Sequence, residues 1–179
     1  MSSGTTGRVE ALYTAPGKGE PMVTHDAVVV KPGGIEGDRY FDGTGYYSAT
    51  DGCQVTLVDA AVLEDARETF DVDLSNGAHR RNVVVSGIDP ADLLDSTFTL
   101  GEATLRGTRL RPPCAYLAGL IDDEDVIEAL REQRGGICAE VVESGRVTVG
   151  SGLTITEANP REMGKAIAAR LGEEPKVEE

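Results

Sequence analysis

The chain of 179 residues has no tryptophan, three phenylalanines, three cysteines and two histidines. No apolar run approaches the roughly 20 residues that a membrane-spanning helix needs. The first residues, Met1 to Arg8, lack the basic start and apolar stretch of a secretion signal. We therefore expect a cytoplasmic protein with no membrane partner. Three cysteines without paired spacing predict reduced thiols rather than a disulfide framework.

Positive charge is also scarce, because 17 basic residues stand against 31 acidic ones, a formal net charge of -14. Such a surface repels nucleic acid and anionic membranes, so we expect neither as a partner. Lysine occurs only at Lys18, Lys31, Lys165 and Lys176. An acidic, lysine-poor surface favours a halophilic protein from a high-salt cytoplasm, and an ordinary acidic protein is the alternative.

What the chain does contain is glycine, 22 residues of it, placed between short runs of β-branched residues. Its length fits one domain with a tail, which predicts a domain over residues 1–158 and a C-terminal helix and charged tail over 159–179. The predicted strands are Arg8 to Tyr13, Gln54 to Val58, Asn82 to Gly87, Thr97 to Leu100, Ala103 to Leu110, Ile137 to Val142, Arg146 to Val149 and Leu153 to Thr156.

Turn and cap residues separate these strands. Gly101-Glu102 predicts a tight turn, and Glu143-Ser144-Gly145 predicts a hairpin. Asp59 is a good N-cap for a helix with Val62, Leu63, Ala66 and Phe70 on one face, and Asp122 to Arg134 predicts a second helix that Gly135-Gly136 ends. Short strands without regular βαβ spacing predict a mainly β (α+β) fold, a β-barrel with a few peripheral helices.

The segment from Arg109 to Cys114 places a thiol after two prolines and beside two arginines. Proline cannot donate to a sheet ladder, so the strand must end there, and a short helix can begin at Cys114. A thiol near a helix N-terminus and flanked by arginine has a lowered pKa and forms a thiolate readily. The alternative is a buried cysteine that packs as a small hydrophobic residue.

Two other segments carry candidate binding residues. Pro32 to Tyr40 contains Gly37, Asp38 and Arg39, which fit either a glycine loop that approaches a ligand or a plain turn. His79-Arg80-Arg81-Asn82 leads into an apolar strand, where the two arginines need either an anionic ligand or structural ion pairs. The cysteines and histidines have no zinc-site spacing, Cys138 lies in an apolar strand, and Cys53 lies in a glycine-flanked turn.

Taken in order, these segments resemble the MOSC domain, the family named after the C-terminal part of molybdenum cofactor sulfurases. The resemblance covers residues 7–157, which would make this a stand-alone domain. It rests on Gly37-Asp38-Arg39, Arg81-Asn82, Pro113-Cys114, Gly135-Gly136, and the closing run from Val141 to Gly150 with Gly145, Arg146 and Val147. Two positions depart from the family pattern: Gly150-Ser151 replaces Gly-Asp, and Cys138 stands where relatives often carry a larger or polar residue.

The resemblance implies a MOSC or pyruvate-kinase β-barrel-like fold and a molybdenum cofactor, a pterin with a terminal phosphate. Cys114 would be the molybdenum ligand and the catalytic residue. The cofactor-binding residues would be Gly37, Asp38, Arg39, Arg80, Arg81, Asn82, Arg109 and Arg111.

The resemblance supports more than one function. The first is a molybdenum-dependent oxidoreductase that reduces N-oxygenated substrates with an external electron donor. The second is a sulfur carrier whose Cys114 accepts a persulfide from a donor protein, a cysteine desulfurase. The third is a non-catalytic module that binds a small molecule or a protein. Pyridoxal phosphate is associated with such domains, but none of the four lysines lies in the motifs, which disfavours a Schiff base.

Overall fold

The computed structural model describes residues 6–17, 20–38, 41, 53–74, 77–111, 125, 129–130 and 132–157. In chain order, its strands are β1 Thr6–Thr14, β2 Val23–His25, β3 Ala27–Lys31, β4 Gly34–Ile35, β5 Val55–Asp59, β6 Val83–Ser86, β7 Thr97–Leu100, β8 Ala103–Leu110, β9 Ile137–Glu143, β10 Gly145–Thr148 and β11 Gly152–Glu157. Helix α1 spans Ala60–Phe70, and short 3-10 helices span Pro90–Leu93 and Glu132–Gly135.

Seven strands form a closed β-barrel in the order β1-β11-β7-β8-β9-β5-β6, with β2 added on the edge of β1. The barrel closes where β1 pairs with β11, from Thr6 opposite Thr154 to Arg8 opposite Gly152. Strands β5 and β6 run parallel, and the other neighbours in the barrel are antiparallel. Closure leaves no free edge and encloses one apolar core, which confirms the predicted barrel.

A separate three-stranded sheet, β10-β3-β4, packs beside the barrel. The predicted hairpin at Glu143-Ser144-Gly145 is wrong, because β9 pairs with β5 and β8 while β10 pairs with β3. The chain leaves the barrel at Gly145, whose absent side chain lets it pass close to the Glu102 backbone. The run from Val28 to Val30 in β3 was not predicted as a strand, although its alternating burial is typical of one.

Helix α1 begins as predicted, because the Asp59 carboxylate accepts a hydrogen bond from the Ala61 N–H at 2.9 Å. Its apolar face belongs to a second core. The buried members of this core are Ala66, Val72, Leu74, Ala129 and Leu130, and Val62, Leu63 and Phe70 pack against them. The predicted face of this helix is therefore confirmed. Within the described ranges, no helix is long and apolar enough to cross a membrane.

Two cysteines are joined, which corrects the prediction of reduced thiols. Cys53, just before β5, forms a disulfide with Cys138 of β9, and both side chains are buried. The two residues are 85 positions apart in sequence, so their spacing gave no sign that the fold brings them together.

Several predicted features lie outside the described residues. They are Arg39, the segment Pro112-Pro113-Cys114 with the helix expected after it, most of the helix expected over Asp122 to Arg134, and the C-terminal helix and tail over 159–179.

Two glycines differ in the space around them, so we expect an alanine at each to change the free energy of unfolding by different amounts. Gly136 has φ of +89°, and an added Cβ would lie 2.0 Å from the Leu57 carbonyl oxygen. We expect Gly136→Ala to lower the free energy of unfolding by roughly 3 kcal/mol through backbone strain and steric overlap. Gly152→Ala, where a Cβ would meet nothing within 4 Å, is the control. Equal urea midpoints for the two variants would contradict this account.

The disulfide fixes how many cysteine thiols per chain can react with an alkylating reagent. Protein lysed in the presence of an alkylating reagent, then denatured without reductant, should label one cysteine, Cys114, whereas reduction should expose all three. In Cys53→Ser the same unreduced protocol should label both remaining cysteines. Intact-mass spectrometry counts the labels, and three labels on unreduced wild-type protein would show that the pair is not formed.

Candidate functional site

Arg80 and Arg81 lie immediately before β6 and are buried, with 7% and 2% of their surfaces exposed. Arg80 has φ of 65°, and its backbone N–H donates to the Gly77 carbonyl at 2.9 Å. Its guanidinium Nη1 donates to the carbonyl of Glu20. The turn therefore holds two guanidinium groups inside the protein at the point where the chain enters the barrel.

Two backbone carbonyls orient the guanidinium group of Arg81. Nε donates to the Gly135 carbonyl at 3.0 Å, and Nη1 donates to the His79 carbonyl at 2.8 Å. These two hydrogen bonds fix the plane and the direction of the guanidinium group.

Arg111 contacts the same glycine pair as Arg81, but through its backbone. Its backbone N–H donates to the Gly136 carbonyl at 2.8 Å, and its side chain is buried, with 5% exposed. An added Cβ on Gly135 would lie 2.1 Å from the Arg111 carbonyl oxygen, so only glycine allows this close approach. We call Arg81, Arg111, Gly135 and Gly136 the arginine corner.

His79 is a buried imidazole next to Arg80 and Arg81. Burial lowers the pKa of His79 first, and the charges of Arg81 and then Arg80 lower it further, to about 3. Its Nδ1 accepts the Arg81 backbone N–H at 2.9 Å. The imidazole is therefore neutral around pH 7, since an added proton would be both desolvated and repelled.

Arg109 lies on β8 opposite Cys138, half-buried, two residues before Arg111. Thr108 on the same strand donates to the Cys138 carbonyl at 3.0 Å, so this end of β8 is tied to the strand that carries the disulfide. Because Cys53 and Cys138 are bonded to each other, Cys114 is the one cysteine of the sequence outside that disulfide.

Asn82 is fully buried and its side chain joins three strands. Its Oδ1 accepts hydrogen bonds from the Thr56 N–H and hydroxyl, at 3.0 and 3.1 Å, and its Nδ2 donates to the Tyr13 carbonyl at 3.1 Å. The Asn82 N–H in turn donates to the Thr56 hydroxyl at 2.9 Å. These bonds give the side chain a structural task in the barrel, so its predicted contact with a cofactor stays a prediction.

Gly37 and Asp38 lie in the turn after β4. Asp38 is fully buried, and its Oδ1 accepts the Ala15 N–H at 3.0 Å, which anchors this turn to the end of β1. Gly37 has φ of +86°, and an added Cβ would meet nothing within 4 Å. In this structure Gly37 therefore serves the turn conformation, and Asp38 serves a backbone contact.

The structure thus brings together Arg81 and Arg111 from two distant segments, with Arg80 and Arg109 adjacent to them in sequence. Gly135 and Gly136, which the sequence predicted to end a helix and which belong to the family motif, also supply the two carbonyls of the arginine corner. Within the ranges that the structure describes, no three His, Cys, Asp or Glu side chains are grouped as a metal site.

Solved structures similar to this chain include YuaD from Bacillus subtilis, with 20% identity and a TM-score of 0.73, covering 89% of this chain and 100% of that one. YiiM from Escherichia coli has 18% identity and a TM-score of 0.62, over 85% of this chain and 71% of its own. YiiM from Geobacillus stearothermophilus has 18% identity and a TM-score of 0.63, over 84% and 75%. At these identities the likeness establishes a shared fold.

No curated protein matches the chain. The family model described as "MOSC domain" matches residues 44–154, more than half of the sequence and a range that includes the arginine corner. Together with the barrel, this match shows that the chain belongs to the MOSC domain family.

Proposed function

We propose that this MOSC domain binds a molybdenum–pterin cofactor, with Cys114 as the metal ligand and buried arginines as the phosphate-binding groups, and supports reduction of N-oxygenated substrates by an external electron donor. The observation that carries the proposal is the arginine corner, where Arg81 and Arg111 are both buried and both contact Gly135-Gly136, Arg81 through its side chain and Arg111 through its backbone.

A phosphate group fits the chemistry of this corner. Guanidinium presents a planar set of donors that matches phosphate oxygens, and a buried site strengthens each charged hydrogen bond. The carbonyls of Gly135 and His79 already hold the Arg81 side chain in place. Binding a ligand would therefore cost little further side-chain conformational entropy. Burial and then the charges of Arg81 and Arg80 lower the pKa of His79, which agrees with positive charge beside this corner.

Cys114 fits the role of ligand by its chemistry and its place in the sequence. It follows Arg111 by three residues, and the disulfide of Cys53 with Cys138 leaves it as the one remaining thiol. A soft thiolate is a suitable ligand for a metal that already carries pterin sulfur. When bound, the cofactor would supply the two-electron chemistry that removes oxygen from an N–O bond.

The chain's own residues would bind and orient this group. Arg81 and Arg111 would hold the phosphate end, with Arg109 and Arg80 adding positive charge nearby. Asn82 and Asp38, through their backbone contacts, would keep β1, β5 and β6 in register around the corner.

We expect protein purified from a host that makes the cofactor to contain stoichiometric molybdenum. Cys114→Ser should contain roughly tenfold less, because an alcohol is a far poorer ligand than a thiolate. Inductively coupled plasma mass spectrometry measures the metal, and circular dichroism checks the fold. Metal-free wild-type protein that instead gains one sulfur atom on Cys114 from a cysteine desulfurase would establish the sulfur carrier in place of this proposal.

The phosphate role of Arg111 has a matched control on β8, the strand that ends at the preceding residue. We expect Arg111→Gln to retain about tenfold less pterin after dialysis, because a charge-assisted hydrogen bond is lost. Arg106→Gln alters an exposed arginine of β8 that lies 3.8 Å from Asp95, and it should retain pterin normally. Fluorescence of the oxidised pterin gives the content per chain. Equal retention by both variants would remove Arg111 from the proposed site.

A further inference from the structure

A cavity of about 520 Å³ lies between helix α1 and the strands β1 and β6. Its wall is about half polar and half apolar, and the apolar part includes Tyr13, Leu63, Leu74 and Val84. Val84 is buried but lies outside the barrel core, so the cavity is separated from the barrel interior by these two strands. The volume falls in the range typical of sites for small organic molecules. We call it the helix-side cavity.

One buried polar side chain, His79, lines this cavity. It is 1% exposed, and its ring meets the Tyr13 ring edge-on with centroids 5.2 Å apart. Nδ1 accepts the Arg81 N–H at 2.9 Å, so in the neutral ring the single proton is on Nε2. Nε2 is buried and has no hydrogen-bond partner among the described residues.

Nδ1 is occupied by the Arg81 backbone N–H, and Nε2 lies on the other side of the ring that lines the cavity. The low pKa of His79, about 3, keeps the ring neutral across physiological pH, so it offers one donor and no positive charge. A ligand oxygen would supply the acceptor that the described residues do not give to Nε2–H.

The rim of the helix-side cavity has the opposite character. It carries three carboxylates, from Glu64, Glu68 and Asp73, and one guanidinium, from Arg67. The sum of these formal charges is negative, and the chain as a whole carries -14. A cationic group is therefore favoured at the rim, while an uncharged acceptor is favoured at His79.

We propose that the helix-side cavity is a second binding site, for a small organic cation with an apolar body and a hydrogen-bond acceptor at the end opposite its charge. The acceptor receives the Nε2–H of His79, the body packs on Tyr13 and Leu74, and the cation faces Glu64 and Glu68. This site shares no residue with the arginine corner, and the proposal does not rest on a bound molybdenum cofactor.

Three related compounds separate the contribution of the acceptor at His79 from that of the cation at the rim. Para-aminomethylbenzamide has the cation, the ring and the carbonyl acceptor; benzylamine lacks the acceptor, and para-methylbenzamide lacks the cation. Isothermal titration of the full chain should show that the first binds about tenfold more tightly than either of the others. Failure of para-aminomethylbenzamide to bind at millimolar concentration, or equal affinities for all three, would overturn the proposal.

Substitutions assign the two ends of the ligand. His79→Asn keeps an oxygen for the Arg81 N–H but withdraws the donor, so it should weaken para-aminomethylbenzamide about tenfold and leave benzylamine unchanged. Glu68→Gln, on the exposed helix surface, should weaken both amines and leave para-methylbenzamide unchanged. Glu102→Gln, at the β7–β8 turn, is the charge-matched control and should change none of them.

Two outcomes distinguish this site from the proposed cofactor site. The imidazole Nε2 resonance of His79 should shift on addition of para-aminomethylbenzamide, and Cys114→Ser should bind the compound with wild-type affinity whether or not it holds molybdenum. If Cys114→Ser abolishes binding, or if Glu68→Gln and His79→Asn both bind like wild-type protein, the compound occupies another place and the inference is wrong.

Discussion

The rest of the structure depends on the hydrogen bonds of one buried amide, that of Asn82. It satisfies the Thr56 N–H and hydroxyl on β5 and the Tyr13 carbonyl on β1, from a position just before β6. Loss of this side chain would leave several buried polar groups unpaired, each at a cost of about 1–3 kcal/mol. Because three strands are joined at one point, the turn that precedes β6 is held at a fixed place on the barrel.

That turn presents different groups in two directions. Arg81 extends to Gly135 and forms the arginine corner with Arg111, whereas the His79 ring lines the helix-side cavity. The two are in contact, since Arg81 donates to both the carbonyl and Nδ1 of His79 through its side chain and backbone. The two groups are therefore held by neighbouring residues of one turn.

The sequence predicted those features that depend on neighbouring residues. The Asp59 cap, the apolar face of α1 and the β7–β8 turn each follow from side chains a few positions apart, and all are present. The predicted hairpin after β9 and the reduced Cys53 and Cys138 are wrong for a common reason. Strand β10 instead pairs with β3 from the start of the chain, and the two cysteines meet across 85 residues. Periodicity and spacing carry no information on such distant pairings.

For the candidate site, the residue types alone indicated the chemistry: arginines entering an apolar strand, a proline-flanked Cys114, and a glycine pair ahead of β9. Which of these groups come together depends on the fold. It placed Arg81 and Arg111 at Gly135-Gly136, assigned Asn82 and Asp38 to backbone contacts, and placed the buried His79 ring in the wall of a cavity. The physical reason is that residue type fixes charge and hydrogen-bonding capacity, whereas barrel closure fixes which distant strands become neighbours.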